Sequence, residues 1–213
     1  MTLKASSIKG SSNRVAQDNI QPGNYSGRIQ SVIDLGLQEL EPYKGKEKAP
    51  ANQLWVSIEL DGVYMKGEDG KENKDMPRRL SRKINLYSMS AENAMSTAYM
   101  LALDPTGALD GDWSRVGGTA CTVTVVNRES KGVVYDNIGA LSPVMRGMTV
   151  AELTSDPVFF DTDDPDLSIY QDLPEFLQNI IKDGLNYQGS KLEAMLGGSS
   201  EPTDEELEED APY

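Results

Sequence analysis

The sequence predicts a mainly β domain of five strands with one helix between the third and the fourth, followed by a helical extension and an acidic tail. Three observations carry this. Five separate stretches alternate apolar and polar residues with period two. A single stretch at helical spacing falls after the third of them. Beyond residue 146 the composition turns abruptly acidic.

The opening residues 1–22 are rich in Ser, Asn, Lys and Gln, lack periodicity and end at Pro22-Gly23, which reads as a weakly basic, flexible arm. Tyr25 to Leu37 alternates, with Tyr25, Gly27, Ile29, Ser31, Ile33 and Leu35 on one face and Arg28, Gln30, Val32 and Asp34 on the other. Gly36 is the expected bulge or bend in this long strand. Residues 38–52 carry two prolines and read as a polar loop. The alternation resumes from Gln53 to Met65, with Leu54, Val56, Ile58 and Leu60 inward and Trp55, Ser57 and Glu59 outward. Residues 67–77 are charged and contain glycine, a solvent loop.

Arg78 to Tyr87 is the third strand, in which Arg82 falls on the apolar face and suggests a register irregularity. Ser90 is placed to cap a helix running to Leu103, which Asp104-Pro105 and Gly107 stop. Thr119 to Asn127 and Val133 to Leu141 form the last two strands, joined by a hairpin loop at 128–132. The order strand-strand-strand-helix-strand-strand, with a glycine kink in a long first strand, is that of the OB-fold, a five-stranded, partly open Greek-key barrel. A β-rich α+β domain of another topology is the alternative. The domain spans 23–146. The extension 147–196 has a Val158-Phe159-Phe160 anchor and a helix from Pro174 to Leu185 that should pack back on the barrel through Phe176, Leu177, Ile180 and Ile181. Glycines and serines then open a disordered acidic tail, 197–213.

Charge divides along the same boundary. Residues 1–146 hold 18 Lys and Arg against 17 Asp and Glu, and residues 147–213 hold 2 against 17. Opposite charge blocks on one chain suit a body that binds a polyanion and a tail that competes with it. The outward faces and loops gather Arg28, Tyr43, Lys44, Lys46, Trp55, Tyr64, Arg79, Lys83, Tyr87, Arg128, Lys131 and Tyr135. Cations neutralise phosphates and flat rings stack on bases, so this mixture suits single-stranded nucleic acid. An outward Trp55 needs a cover, which is either a ligand's base or the C-terminal extension.

Enzymatic readings fare poorly. The chain has no His and one Cys, which removes the commonest general base, structural zinc and any internal disulfide. Cys121 lies inside a strand as a structural thiol. Phosphate-loop and dinucleotide fingerprints are absent. Asp161, Asp163, Asp164, Asp166 and Asp172 fail the EF-hand pattern, because Pro165 and Asp166 occupy positions that it cannot use. Neither metal nor cofactor is expected. No apolar run reaches the ~20 residues needed to span a bilayer, so no membrane association is expected.

The strand PGNYSGRIQSVIDLGLQ, the strand LWVSIEL, the five-strand-plus-helix order and the acidic ending DAPY together resemble the single-stranded-DNA-binding proteins of tailed bacteriophages, including the T7-type group. Bacterial single-stranded-DNA-binding proteins likewise end in acids, a proline and an aromatic, usually Phe where this chain has Tyr213. The resemblance implies a non-catalytic protein of DNA replication, recombination and repair in the cytoplasm of the infected bacterial host. It would coat single strands and recruit a polymerase or helicase through Glu205, Glu206, Glu208, Glu209, Asp210 and Tyr213. A homodimer is compatible with it. The competing readings are an acidic structural or interaction protein, such as a virion component or a mimic of DNA, and a small enzyme of another type.

Overall fold

The computed structural model describes residues 15–197. Five long strands form one curled antiparallel sheet: β1 (Gly23–Tyr43), β2 (Lys46–Lys66), β3 (Glu72–Asn85), β4 (Ala120–Ser130) and β5 (Val133–Ser142), ordered β3-β2-β1-β4-β5. β1 bends through two partners. Its first six residues pair with β4, from Gly23 opposite Val125 to Arg28 opposite Ala120, and from Gly27 onward it pairs with β2. The result is a half-barrel, compatible with an OB-like architecture. A short β6 (Val158–Phe160) adds in parallel to β1 at Ser31–Ile33, where β4 has already left it. Helix α1 (Met95–Leu103) packs against β3, β4 and β5, putting Tyr99, Met100, Ala102 and Leu103 into the barrel core with Ile29, Val56, Ile58 and Val123.

The seam between β3 and β5 is closed by side chains. The Arg78 guanidinium pairs with Asp136 at 2.8 Å, and Arg82 donates to the Ile138 carbonyl. Arg82 therefore does face inward, but the β2–β3 register runs without a break through it. Residues 15–20 seal the same seam. Ile20 is buried in the core, its amide donates to Asp136, and the Asp18 carbonyl accepts from Arg78. Part of the expected flexible arm is thus tied down, because Ile20 supplies apolar surface where the barrel is open. Residues 1–14 lie outside the described residues.

Two expected loops are ribbon instead. β1 and β2 continue through 38–52 and turn at Lys44 and Gly45, both with positive φ (52° and 74°). β3 begins at Glu72, inside the expected 67–77 loop. The β4–β5 hairpin likewise turns at Lys131 and Gly132 (51° and 76°), two residues rather than five. Two central residues of positive φ match the right-handed strand twist, so polar, proline-containing sequence still pairs on an exposed ribbon. The helix start also moves. Ser90 makes no cap; its amide and hydroxyl bond the Ser88 hydroxyl in a turn that competes with the helix, which begins at Met95.

The extension folds onto the outer face of β1 and β2. Helices α2 (Leu167–Asp172), α3 (Glu175–Lys182) and α4 (Lys191–Met195) build a second core from Ile33, Leu35, Phe160, Tyr170, Leu173, Leu177, Ile181 and Leu192. Asp166 caps α2 and Ser190 caps α4 through their side chains. α3 ends at Lys182, short of the expected Leu185. Among the described residues no helix is long and apolar enough to cross a membrane. Residues from 198 onward lie outside the described residues, and with them the tail acids and Tyr213.

Candidate nucleic-acid interface

Alternation in β1 first fails at Gln30, and that failure shapes the outer face. Ile29 pairs with Ile58 and Ser31 with Ser57, leaving Gln30 as an extra residue between them. This bulge turns Gln30 and Ser31 to the same side and reverses the faces beyond it. Ile29 and Val32 therefore both enter the barrel core while Ile33 and Leu35 enter the second one, whereas simple alternation puts Ile29, Ile33 and Leu35 on one face and Val32 on the other. A second register shift follows at Gly36 (φ 73°), the expected bend.

Across β1–β2–β3 the outer face then reads in rows: Ile33, Trp55 and Lys83; Ser31, Ser57 and Ser81; Arg28, Glu59 and Arg79. The Ser57 and Ser81 hydroxyls share a hydrogen bond of 2.7 Å. Glu59, with its side chain 6% exposed, pairs with Arg79 at 2.9 Å and accepts from the Thr154 amide and hydroxyl. Helix α3 and its approach stand over part of this face and leave a groove of about 460 Å³. Gln30, Ser31, Ser57 and Ser81 form its polar side, Trp55 and Phe176 its aromatic wall, and Arg79 and Asp172 its charged rim.

Trp55 is covered by the chain itself. Its ring meets Phe176 edge-on, centroids 5.3 Å apart at 68°, and packs against the second core. Phe176, expected on the packing face of its helix, is 49% exposed at the groove, while Leu177 and Ile181 do the packing.

The other predicted residues fall into separate groups. Tyr43, Lys44 and Lys46 occupy the exposed tip of the β1–β2 ribbon, where Lys44 and Lys48 place their ammonium groups 5.2 and 5.1 Å from the Tyr43 ring centre. Arg128, Lys131 and Tyr135 form the exposed tip of the β4–β5 ribbon, with Arg128 opposite Tyr135. Lys83 and Tyr87 are exposed at the end of β3. Because β4 runs antiparallel to β1, the two tips lie at opposite ends of β1 and bracket the outer face.

Two predicted residues stand outside this arrangement. The Arg28 guanidinium is spent on the protein, donating to the carbonyls of Gly118, Val150 and Ala151 and pairing with Glu152. It clamps the strap that leads into the extension, because outward placement put it beside that strap rather than in solvent. Tyr64 sits opposite Pro77 and lines a pocket with residues 150–154. Sequence reasoning faced Gln30 and Ser81 outward without singling them out, placed Ser31 on the inward face, from which only the bulge turns it, and assigned Phe176 to packing.

Cys121 is buried in the core, and burial pushes its thiol up to about 12, so it offers no nucleophile. Among the described residues no three His, Cys, Asp or Glu side chains come together as a metal site. A scan against protein-family models finds no match to this chain, and a search of curated proteins finds none either.

Proposed function

We propose that this protein binds single-stranded DNA without sequence preference, as a non-catalytic partner in phage DNA replication, recombination and repair, and that its half-barrel is an OB-fold. The observation that carries this is the bracketing of one sheet face by two ribbon tips of like chemistry. Each tip presents a Lys at the turn itself, a further cation and an exposed tyrosine. In OB-folds the strand 2–3 face and the loops joining strands 1–2 and 4–5 are the places that take oligonucleotides. Lys44, Lys46, Lys48, Lys83, Arg128 and Lys131 are exposed and make no ion pair among the described residues, so their charge is available to phosphates. Tyr43, Tyr87 and Tyr135 supply stacking surfaces beside them. The acidic residues 201–213 act as a tethered competitor for the cationic surface, freed by DNA to engage a polymerase or helicase.

One observation favours a second reading. Ten of the 17 late acids lie in residues 147–197, on the folded extension beside the same face, as an acidic interaction protein or DNA mimic would place them. Titrating fluorescent oligo(dT) at low and moderate salt decides between the two. Salt-weakened binding that tightens on deletion of residues 201–213 supports the first reading. No binding at low salt, even after the deletion, supports the second.

A further inference from the structure

We infer that the groove between the sheet and α3 is a pocket for one unpaired nucleobase, hydrogen-bonded by Gln30 and Ser31 and lying against the ring of Phe176. This rests on the DNA-binding reading and adds to it the place where a base leaves the strand and the groups that hold it. The bulge supplies the first argument. An extra residue in β1 turns two consecutive polar side chains onto one face, and both line the groove. Gln30 is 8% exposed and Ser31 9%; neither side chain is engaged in a hydrogen bond among the described residues, and neither has a polar atom sealed from solvent without a partner. Their neighbours Ser57 and Ser81 satisfy each other. The Gln30 amide therefore meets the solvent of the groove, with its donor and acceptor open to a ligand there.

The chemistry of the walls says what. A glutamine amide offers a donor and an acceptor side by side, the complement of the paired donor and acceptor on a base edge. Phe176 presents half its surface, and its edge-on contact with Trp55 holds it in place, so it is a prepared platform rather than a mobile ring. The volume, about 460 Å³, is in the range of pockets for small organic ligands. The rim sets the direction of entry. Asp172 disfavours a phosphate inside, where Arg79 is already paired with Glu59, whereas exposed Lys83, opposite Trp55 across the strands, favours one just outside. The base therefore enters and the backbone stays on the sheet surface.

The test uses the full chain carrying Trp113→Phe, so that Trp55 is its one tryptophan and reports from the groove wall. It is titrated with dTMP, dAMP and deoxyribose 5-phosphate, and separately with oligo(dT). Both nucleotides should quench Trp55 to saturation in the millimolar range, and the sugar phosphate should not. Gln30→Ala and Phe176→Ala should each weaken nucleotide binding by about tenfold, while Phe176→Trp, followed by calorimetry, should retain it. Phe176 is half exposed, so its variants fold. If oligo(dT) binds while the nucleotides leave Trp55 unchanged, or if Gln30→Ala has no effect, the pocket is overturned and strand binding stands. If the nucleotides quench and oligo(dT) does not bind, the pocket stands for free nucleotides and strand binding falls. Quenching by the sugar phosphate alone makes the groove an anion site and overturns the base pocket.

Discussion

Replacing both turn lysines, Lys44→Asn with Lys131→Asn, separates DNA binding from stability, because the two should move in opposite directions. Each lysine sits at the first central position of a two-residue hairpin turn with positive φ, 52° and 51°. An L-residue other than Asn, Asp or Gly is strained there by about 1–2 kcal/mol, and Asn-Gly is the preferred pair for such turns. The double variant should therefore melt higher than the parent. Binding should weaken. With the six exposed cations of the tips and β3 acting as phosphate contacts, the slope of log K against log salt is about −4, from roughly 0.7 per contact on a single strand. Between 50 and 200 mM salt that slope costs about 300-fold in affinity. Removing two contacts should bring the slope to about −3 and the loss to about 50-fold. The assay is fluorescence anisotropy of labelled oligo(dT) at four salt concentrations, with thermal melts alongside. A raised melting temperature with an unchanged slope refutes the assignment of the tips to DNA. A lowered melting temperature refutes the strain argument.

Three further outcomes follow from the geometry. Gly36→Ala should destabilise the fold by about 1–2 kcal/mol in urea titration, since its φ is 73° and a Cβ there would meet the Asn186 side-chain oxygen at 2.6 Å; an unchanged midpoint would show that the bend relaxes. Cys121 should resist a thiol reagent at pH 8 until denaturant is added, because burial holds its thiol near 12; labelling of the native chain at the rate of a free thiol would contradict its placement in the core. Asp104, Asp112 and Asp166 are held below the ordinary aspartate value of 3.8, mainly by the Leu109 amide, the Ser114 hydroxyl and the Ser168 hydroxyl respectively. A carboxylate lowered in the folded state contributes stability that is present above the unfolded value and lost as pH falls through the folded one. The melting temperature should thus decline below about pH 4, and Asp104→Asn should flatten that decline. A decline as steep in that variant as in the parent would rule out its share.

Strand existence was legible in the sequence where one face is buried, because burial enforces period two. Leu54, Val56, Ile58 and Leu60 alternate with Trp55, Ser57 and Glu59 in the sequence and in the structure alike. The ribbons at 38–52 and 72–77 were not, because strands exposed on both faces have no apolar period and the two prolines mimic a loop. The bulge at Gln30 was illegible for another reason. Pairing register is a property of two strands, and one extra residue reverses the faces up to the next shift without leaving a mark on its own strand.

The same distinction governs the site. A residue's chemistry is written in the sequence, but its availability is not. Arg28 and Lys131 look equal as outward cations, yet Arg28 finds three carbonyls and Glu152 within reach, whereas Lys131 stands exposed at a turn and makes no ion pair among the described residues. Arg79 lies between them, held by the buried Glu59 but with its side chain still 40% exposed. Removing it would leave a buried carboxylate whose remaining partners are the Thr154 amide and hydroxyl, so a loss of DNA binding in Arg79→Ala would report stability as much as contact. Trp55 carries the same ambiguity through its packing on Phe176. The residues that a sequence reader would mutate first, an outward tryptophan and an outward arginine, are therefore the least able to report on binding. The lysines at the ribbon tips, where substitution relieves strain instead of creating it, separate the two.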